Sequence, residues 1–287
     1  MNSTNTTEIS KLGSMPISKS EFNDLTKLIY EQTGIYLTEA KKSLVVSRLQ
    51  KICRAMGFTD FRQYYDFVIQ NPDGKALTEL INKISTNHTF FYRESSHFEY
   101  FSKTALPQCI KRRKAMGKKV FRIWCAAASS GEEPYTLAML IKEYLGMDYS
   151  QWDVGLLATD ISRDILDKAT QGVYEERGAR ELPDKLYKKY FKELKNGMVE
   201  VKPELKKEVT YRCFNLMNPL PFKSNFDVVF IRNVMIYFDE PTKIKLVSKI
   251  IQKLNPGGYL FIGHAESLNG ITKELEYVLP ACYRKPG

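Results

Sequence analysis

Two carboxylates, Glu132 and Glu133, follow directly on the run Ala126-Ala127-Ala128-Ser129-Ser130-Gly131. Small residues in such a run let the backbone approach a ligand closely. Two acidic groups at a helix start would repel the pyrophosphate that a dinucleotide places there. They suit a cationic group such as an amino-acid ammonium, although the same pair also complements the helix dipole. Further along, Asp160 closes the stretch Ala158-Thr159-Asp160-Ile161, where an acidic side chain can accept hydrogen bonds from both hydroxyls of a ribose. Capping the next helix is the other role open to it. Taken together, the two sites select a nucleoside bearing a positive group and no phosphate, which describes S-adenosylmethionine. Asn215-Leu216 offers an adenine one amide and one apolar contact. Arg232 and Asn233 come straight after the apolar run that ends at Ile231.

Ser85 to Glu94 joins a polar stretch to an aromatic block and then to Arg93. It reads as a lid that packs its rings and points polar groups into a crevice, with plain aromatic packing as the simpler role. His88, His97 and His264 lack metal-ligand spacing, so no metal is expected. No Ser/His/Asp or Cys/His arrangement recommends a covalent nucleophile.

The elements that must position these residues fall into two kinds. From Met15 to Ser85 the periodicity is helical: a capping box at Ser18-Glu21, Phe22, Leu25, Leu28 and Ile29 at helical spacing, and Gly34 to close. Thr38 or a neighbour opens a second helix ended by Gly57, with Val45, Leu49, Ile52 and Met56 on one stripe. Thr59 opens a third, ended by Asn71-Pro72-Asp73-Gly74, and Lys75 to Ser85 makes a fourth. After Val120 strands and helices alternate: strands at 120–128, 154–159, 209–214, 226–231 and 258–263, helices at 132–145, 163–169 and 241–254, and a last strand within 277–283. That alternation predicts an α/β fold with a mostly parallel, doubly wound sheet. The charged, tyrosine-rich stretch 173–207 interrupts it, and Asn196-Gly197 favours a type I′ hairpin turn, so a small antiparallel β-subdomain is inserted at about 174–208. The expected order is a loose tail (1–15), a helical domain (16–85), a lid with a basic helix (86–118) and the sheet domain (119–287).

Composition narrows the class. The chain has 287 residues, 43% hydrophobic and 12% aromatic, too apolar for a disordered protein. No apolar run reaches the roughly 18 residues that span a bilayer, and the tail lacks the apolar block of a signal peptide. Five scattered cysteines argue against a disulfide framework or zinc site. A cytoplasmic, reduced, soluble protein is expected. The net charge of +10 is concentrated: residues 81–120 carry 9 basic and 2 acidic side chains, centred on Lys111-Arg112-Arg113-Lys114 and Lys118-Lys119. Such a cluster attracts an acidic partner or marks a solvated helix end. Without aromatic residues interleaved in the basic surface, nucleic acid is not the expected partner. From Lys41 to Met56 there is no acidic residue, and Arg48, Lys51 and Arg54 fan over one helix face, a solvated surface or an acidic docking one.

The blocks Asn87–Glu94, Ala126–Tyr135, Ala158–Ile161, Arg232–Phe238 and Gly263–Ser267, in that order, resemble the CheR family of S-adenosylmethionine-dependent glutamate methyltransferases of bacterial chemotaxis receptors. The resemblance extends over residues 17 to 284. It implies a class I (Rossmann-like) methyltransferase domain behind an N-terminal all-helical domain, with S-adenosylhomocysteine as product and no metal. By this likeness Asn87 and Thr89 contact the cofactor, Glu133 holds its ammonium and Asp160 its ribose. Asn215, Leu216, Arg232 and Asn233 line the adenosine and methionine sites. Arg93, also at the cofactor, lies by the transferred methyl as the catalytic candidate, and Tyr237 faces the transfer point. Phe90 stands where the family often has a small residue, which changes that wall. The implied partner is the cytoplasmic helical part of a chemotaxis receptor, with Arg48, Lys51 and Arg54 as docking residues, and the protein acts as a monomer. The short Asn196-Gly197 turn implies independence from a receptor-tail pentapeptide, which some relatives grip with a longer turn. A cofactor-binding sensor of the same fold, a small-molecule methyltransferase and a nucleic-acid-binding protein are the alternatives.

Overall fold

The computed structural model describes residues 14–71 and 74–287. Most of the expected tail, and Pro72-Asp73 of the expected turn, lie outside the described residues. The chain divides between Thr86 and Asn87 into two compact units.

Among the described residues the first unit has four α-helices: α1 (Lys19–Thr33), α2 (Lys42–Ala55), α3 (Phe61–Gln70) and α4 (Lys75–Ile84). The capping box forms as its residues require, with Glu21 N–H donating to Ser18 Oγ at 3.2 Å and Ser18 N–H to Glu21 Oε2 at 2.7 Å. Gly34 ends α1 in a left-handed conformation, φ 73°. Asp60, not Thr59, caps α3, taking the N–H of Gln63 at 2.9 Å. A short 3₁₀ turn, Glu39–Lys41, leads into α2. Val45, Leu49 and Ile52 are buried with Phe22, Leu25, Phe61 and Leu80, and Met15 joins them. Met56 departs from the expected stripe: it sits at the frayed end of α2 and is exposed.

In the second unit, a helix runs from Ser95 to Ala115 as α5 (Ser95–Tyr100), a π turn at Phe101–Ala105, and α6 (Leu106–Ala115). Three further helices are α7 (Glu132–Leu145), α8 (Arg163–Gln171) and α12 (Glu240–Lys253). The seven-stranded sheet contains β1 (Val120–Ala126), β2 (Asp153–Asp160), β6 (Val209–Cys213), β7 (Phe226–Ile231), β8 (Leu254–Ile262), β9 (Glu276–Leu279) and β10 (Cys282–Arg284), in the order β6-β2-β1-β7-β8-β10-β9. The first five are mutually parallel; β10 pairs antiparallel with β8, and β9 antiparallel with β10. The expected single last strand is thus a hairpin, broken where Ala281 turns left-handed at φ 61°. Every residue of β7 is buried, as a strand covered on both faces must be. Phe230 stacks on Phe261 with centroids 4.4 Å apart, and Phe98 and Phe101 of the long helix pack on Phe230.

The insert is a separate three-stranded antiparallel sheet of β3 (Val173–Glu175), β5 (Met198–Val201) and β4 (Phe191–Glu193). Its small helices are α9 (Glu176–Ala179), α10 (Asp184–Tyr190) and α11 (Pro203–Lys206). Asn196 and Gly197 both have positive φ, 61° and 69°, as a type I′ turn demands. Tyr190 ends α10, and its hydroxyl donates to Glu143 of α7 at 2.8 Å.

Part of the basic cluster has an internal partner. Asp227 is fully buried on β7, and its carboxylate accepts from Arg113 Nε at 2.8 Å, Arg112 Nη2 at 3.1 Å and Arg122 N–H at 3.0 Å. Two of the cluster's charges therefore tie α6 to the sheet. Among the described residues no helix is long and apolar enough to cross a membrane. Replacing Asp227 by Asn leaves two half-buried guanidinium groups without their anion, and breaking such a pair costs about 3 kcal/mol or more. Urea unfolding of Asp227→Asn should show a loss of that size, and an unchanged midpoint would refute the anchor.

Candidate active site

The parallel strands β1, β2, β6 and β7 all end at one edge of the sheet. The order places β1 beside β7 where the chain reverses its direction of winding, which is where ligands bind in open α/β sheets. Between β1 and α7, Ala127 (φ 81°), Ser129 (φ 49°) and Gly131 (φ 98°) are left-handed. Such backbone costs about 1–3 kcal/mol at each non-glycine residue, so it must be held. The N–H groups of Ala127 and Ala128 both donate to Thr159 O at 2.8 Å. Ser129 N–H donates to Asp160 Oδ2 at 2.9 Å, and its hydroxyl to Asn87 O at 3.1 Å. Asp160 also accepts the N–H of Ser162 at 3.0 Å. The cap of α8 is Ser162, and Asp160 instead joins the ends of β1 and β2. Burial raises its carboxyl above the ordinary range despite these donors.

After β7 comes the most connected side chain of the site. Arg232 is buried, with Nη1 donating to Glu133 Oε2 at 2.7 Å and Nη2 to Glu94 Oε2 at 3.0 Å and to the carbonyl of Arg93. Its guanidinium lies 5.2 Å over the ring of Phe98. Asn233 is left-handed (φ 58°) and donates its side-chain amide to Glu94 Oε1 at 3.1 Å. Glu266 accepts the N–H groups of Asn233 at 3.0 Å, Ile236 at 3.2 Å and Gly263 at 2.6 Å. A Cβ on Gly263 would stand 2.4 Å from Asn233 Nδ2, so this position admits only glycine.

Burial pushes the Glu94 carboxyl up, but Arg232 and Asn233 outweigh it and hold it below its usual range. At Glu133 burial wins over Arg232 and the carboxyl is raised. Glu132 is raised by burial too, and accepts the Ser130 hydroxyl at 2.7 Å.

Arg93 sits between two left-handed residues, Tyr92 (φ 60°) and Glu94 (φ 58°). Tyr92 is steadied by stacking on Phe98 with centroids 5.3 Å apart, and Glu94 by Arg232 and Asn233. The Arg93 side chain donates to His88 O at 2.7 Å and lies 5.9 Å over the ring of Phe90. Thr89 is half-buried in the same segment. On the loop after β6, Asn215 Oδ1 accepts Met217 N–H at 2.9 Å and Leu216 is buried. Lys249 of α12 fixes that loop by donating to the carbonyls of Leu216, Met217 and Asn218 at 2.7, 3.2 and 3.1 Å. Tyr237 ends the short turn Met235–Tyr237 and is half-buried.

Of the expected residues, Arg232 is joined to Glu133 directly and to Asn233 through Glu94, and Asp160 meets the Asn87 segment through Ser129. Glu94, Glu266 and Lys249 were not singled out from sequence. The first two lay inside quoted motifs as acidic residues beside small or polar ones. Lys249 carried no signal beyond its helix.

In the first unit, Arg48 donates to Ile84 O, at the C-terminus of α4, and to Thr86 Oγ1 at 2.9 Å. Lys51 is exposed and Arg54 half-buried. The histidine spacing gave no sign that two of the rings come together. His97 and His264 meet Glu94, with ligand atoms all within 4.8 Å and His97 Nδ1 3.4 Å from Glu94 Oε2. Burial, with Arg232 and His264 close by, holds His97 down to about 4, so it is neutral at pH 7. The Arg232 charge on the same Glu94 oxygen opposes a second cation there.

The donors fit a positively charged adenosine derivative. A carboxylate accepts about four hydrogen bonds, so Asp160 retains capacity for hydroxyls. Glu133 already faces a cation, and Arg232 Nε is buried without a hydrogen-bond partner among the described residues, a donor matched to a carboxylate.

Residues 87–281 match the family model "CheR methyltransferase, SAM binding domain", and residues 20–85 match "CheR methyltransferase, all-alpha domain". The chain is similar to the chemotaxis protein methyltransferase of Borreliella burgdorferi, 43% identical across 94% of this chain and 95% of that one. It is likewise similar to a probable chemotaxis protein methyltransferase of Rhizobium etli, at 38% identity over 86% and 92% of the two chains. For the Escherichia coli K12 chemotaxis protein methyltransferase the figures are 34%, 90% and 88%.

Arg232→Met would leave the half-buried Glu94 and Glu133 without their cation, raising both carboxyls. A carboxyl whose folded pKa lies above its unfolded one destabilises the fold as pH climbs through that range. The deficit of the variant should therefore be small at pH about 4.5 and reach about 3–5 kcal/mol at neutral pH. Denaturant unfolding at both pH values checks this, and a deficit that shrinks towards neutrality contradicts the network.

Proposed function

We propose that this chain, which belongs to the CheR methyltransferase family, transfers a methyl group from S-adenosylmethionine to glutamate side chains of chemotaxis receptors. The products are glutamate methyl esters and S-adenosylhomocysteine. The observation that carries the reading is the Glu94–Arg232–Glu133 bridge, which draws the segment bearing Arg93 onto the loops at the carboxyl edge of the sheet. S-adenosylmethionine-dependent methylation in chemotaxis is the activity of the family; the acceptor and the roles below are our assignment.

Glu133 would hold the ammonium and Asp160 the ribose hydroxyls. Asn87 and Thr89 would line the same seat, Asn215 and Leu216 would meet the adenine, and Arg232 and Asn233 would back the methionine end. Bound there, S-adenosylmethionine supplies a methyl group made electrophilic by its sulfonium. The accepting glutamate, with a pKa of about 4.3, is already ionised at neutral pH, so the protein supplies no strong base. Arg93 cannot be one, since a guanidinium keeps its proton. Its task is to orient the incoming carboxylate for in-line displacement, with Tyr237 assisting by a hydrogen bond. Alignment of that kind is worth several kcal/mol, up to about 7–11. Opposite charges are lost on reaction, so a pocket closed from water favours it.

Lys51 and Arg54 are the docking residues for an acidic receptor bundle. Arg48 shares their helix but is committed to the end of α4. No tail peptide is needed, because the β4–β5 hairpin closes through the short connection 194–197 that turns at Asn196-Gly197.

Labelled S-adenosylmethionine incubated with chemoreceptor membranes should deposit alkali-labile label, whether or not the receptors end in a pentapeptide. Arg93→Ala should lose at least about 100-fold in turnover, on the scale of a removed transition-state contact, while still binding S-adenosylhomocysteine. Undiminished methylation would remove Arg93 from the mechanism. Reversing Lys51 and Arg54 to Glu should slow association and flatten its dependence on salt. Wild-type association rates at low salt would exclude this face.

A further inference from the structure

The insert is in direct touch with the turn between β1 and α7. Tyr174, on β3, donates its hydroxyl to Ser130 O at 2.6 Å. A Cβ placed on the next residue, Gly131, would stand 2.9 Å from Tyr174 Oη, 2.8 Å from Tyr211 Oη and 2.9 Å from Ala169 Cβ. The turn is therefore wedged from below with no slack. The Tyr174 ring also stands edge-on to Phe91, centroids 4.9 Å apart at 82°. Phe91 in turn stands edge-on to Phe191 of β4 at 5.3 Å. One insert side chain thus touches both the left-handed turn and the segment that bears Arg93. Burial, with Glu132 and Tyr135 near, pushes its phenol well above the ordinary value, so the hydroxyl remains a donor.

We propose that Tyr174 is a positioning residue for this turn, and that through it the insert sets the affinity for S-adenosylmethionine. The inference rests on reading the turn as the seat of the cofactor. Without the hydroxyl, Ser130 O loses its anchor, and the strained turn relaxes away from the geometry that the ligand needs. The aromatic contacts survive in phenylalanine, so the fold does not depend on the oxygen.

Calorimetry with S-adenosylhomocysteine on wild type, Tyr174→Phe and Tyr187→Phe tests the proposal. The Tyr187 hydroxyl bonds only inside the insert, to Glu176 and Glu193. Tyr174→Phe should weaken binding about five- to tenfold, the scale of one hydrogen bond. It should raise the cofactor KM by a similar factor, leave kcat within about twofold, and shrink the rise in Tm that the ligand confers. Tyr187→Phe should bind as wild type. A purely structural hydroxyl would lower Tm equally with and without ligand and leave Kd unchanged, and that result overturns the proposal. Equal weakening in Tyr187→Phe overturns it as well. Should Tyr174→Phe fold poorly, Gly131→Ala strains the same turn by crowding Tyr174 Oη, Tyr211 Oη and Ala169 Cβ together: wild-type affinity in that variant refutes the wedge. A wild-type protein that binds no S-adenosylhomocysteine would refute the seat itself, a failure distinct from one confined to Tyr174.

Discussion

A single guanidinium organises the reactive edge of this protein. Arg232 is buried between two carboxylates that come from different parts of the chain, Glu94 ahead of the sheet and Glu133 at the head of α7. A lone buried charge is costly, and two carboxylates without it would repel each other. Once Arg232 leaves β7 in this direction, the other two have little freedom. Glu94 must turn left-handed to reach it, and that turn sets where Arg93 stands. Asn233, left-handed in its turn, is pinned by Glu266, whose three backbone donors fix the loop on the far side.

The remaining strain has the same logic. Ala127 and Ser129 are held left-handed by Thr159 and Asp160 at the end of the neighbouring strand. The parallel pairing of β1 with β2 brings these strand ends level, with Ala126 opposite Thr159. Sheet register, which follows from burying both faces, is what places an acidic side chain under the first loop. The loop after β6 has no such strand neighbour for its carbonyls, and the Lys249 ammonium takes their place.

Much of this was legible in the residues. Periodicities of 3.6 and 2, the capping box and the Asn-Gly turn gave the elements to within a few positions, because each rests on local chemistry. Asp160 and Glu133 could be singled out as candidates because an acidic group stands out at the end of an apolar strand and after a run of small residues. What escaped was non-local. Glu94 and Glu266 look like ordinary acidic residues until Arg232 and the Asn233 backbone reach them across 138 and 33 positions. The basic run at 111–119 could not show that Asp227 pairs with both Arg112 and Arg113. The final strand was misread because nothing in 277–283 announces a left-handed alanine. His97 and His264 are 167 positions apart, too far for spacing to reveal that their rings meet at 4.5 Å.

The strand order also bears on how the chain acquires its shape. The central strand β1 pairs on one side with β2, close behind it, but on the other with β7, about a hundred residues later. Asp227 closes on Arg122 across 105 positions and on Arg113 across 114. Closing loops of that length loses entropy before any contact rewards it, so sheets of high contact order assemble slowly. The four helices of the first unit depend on neighbours far nearer in the chain. During synthesis they can be complete while half of the sheet is still waiting for its partner strands.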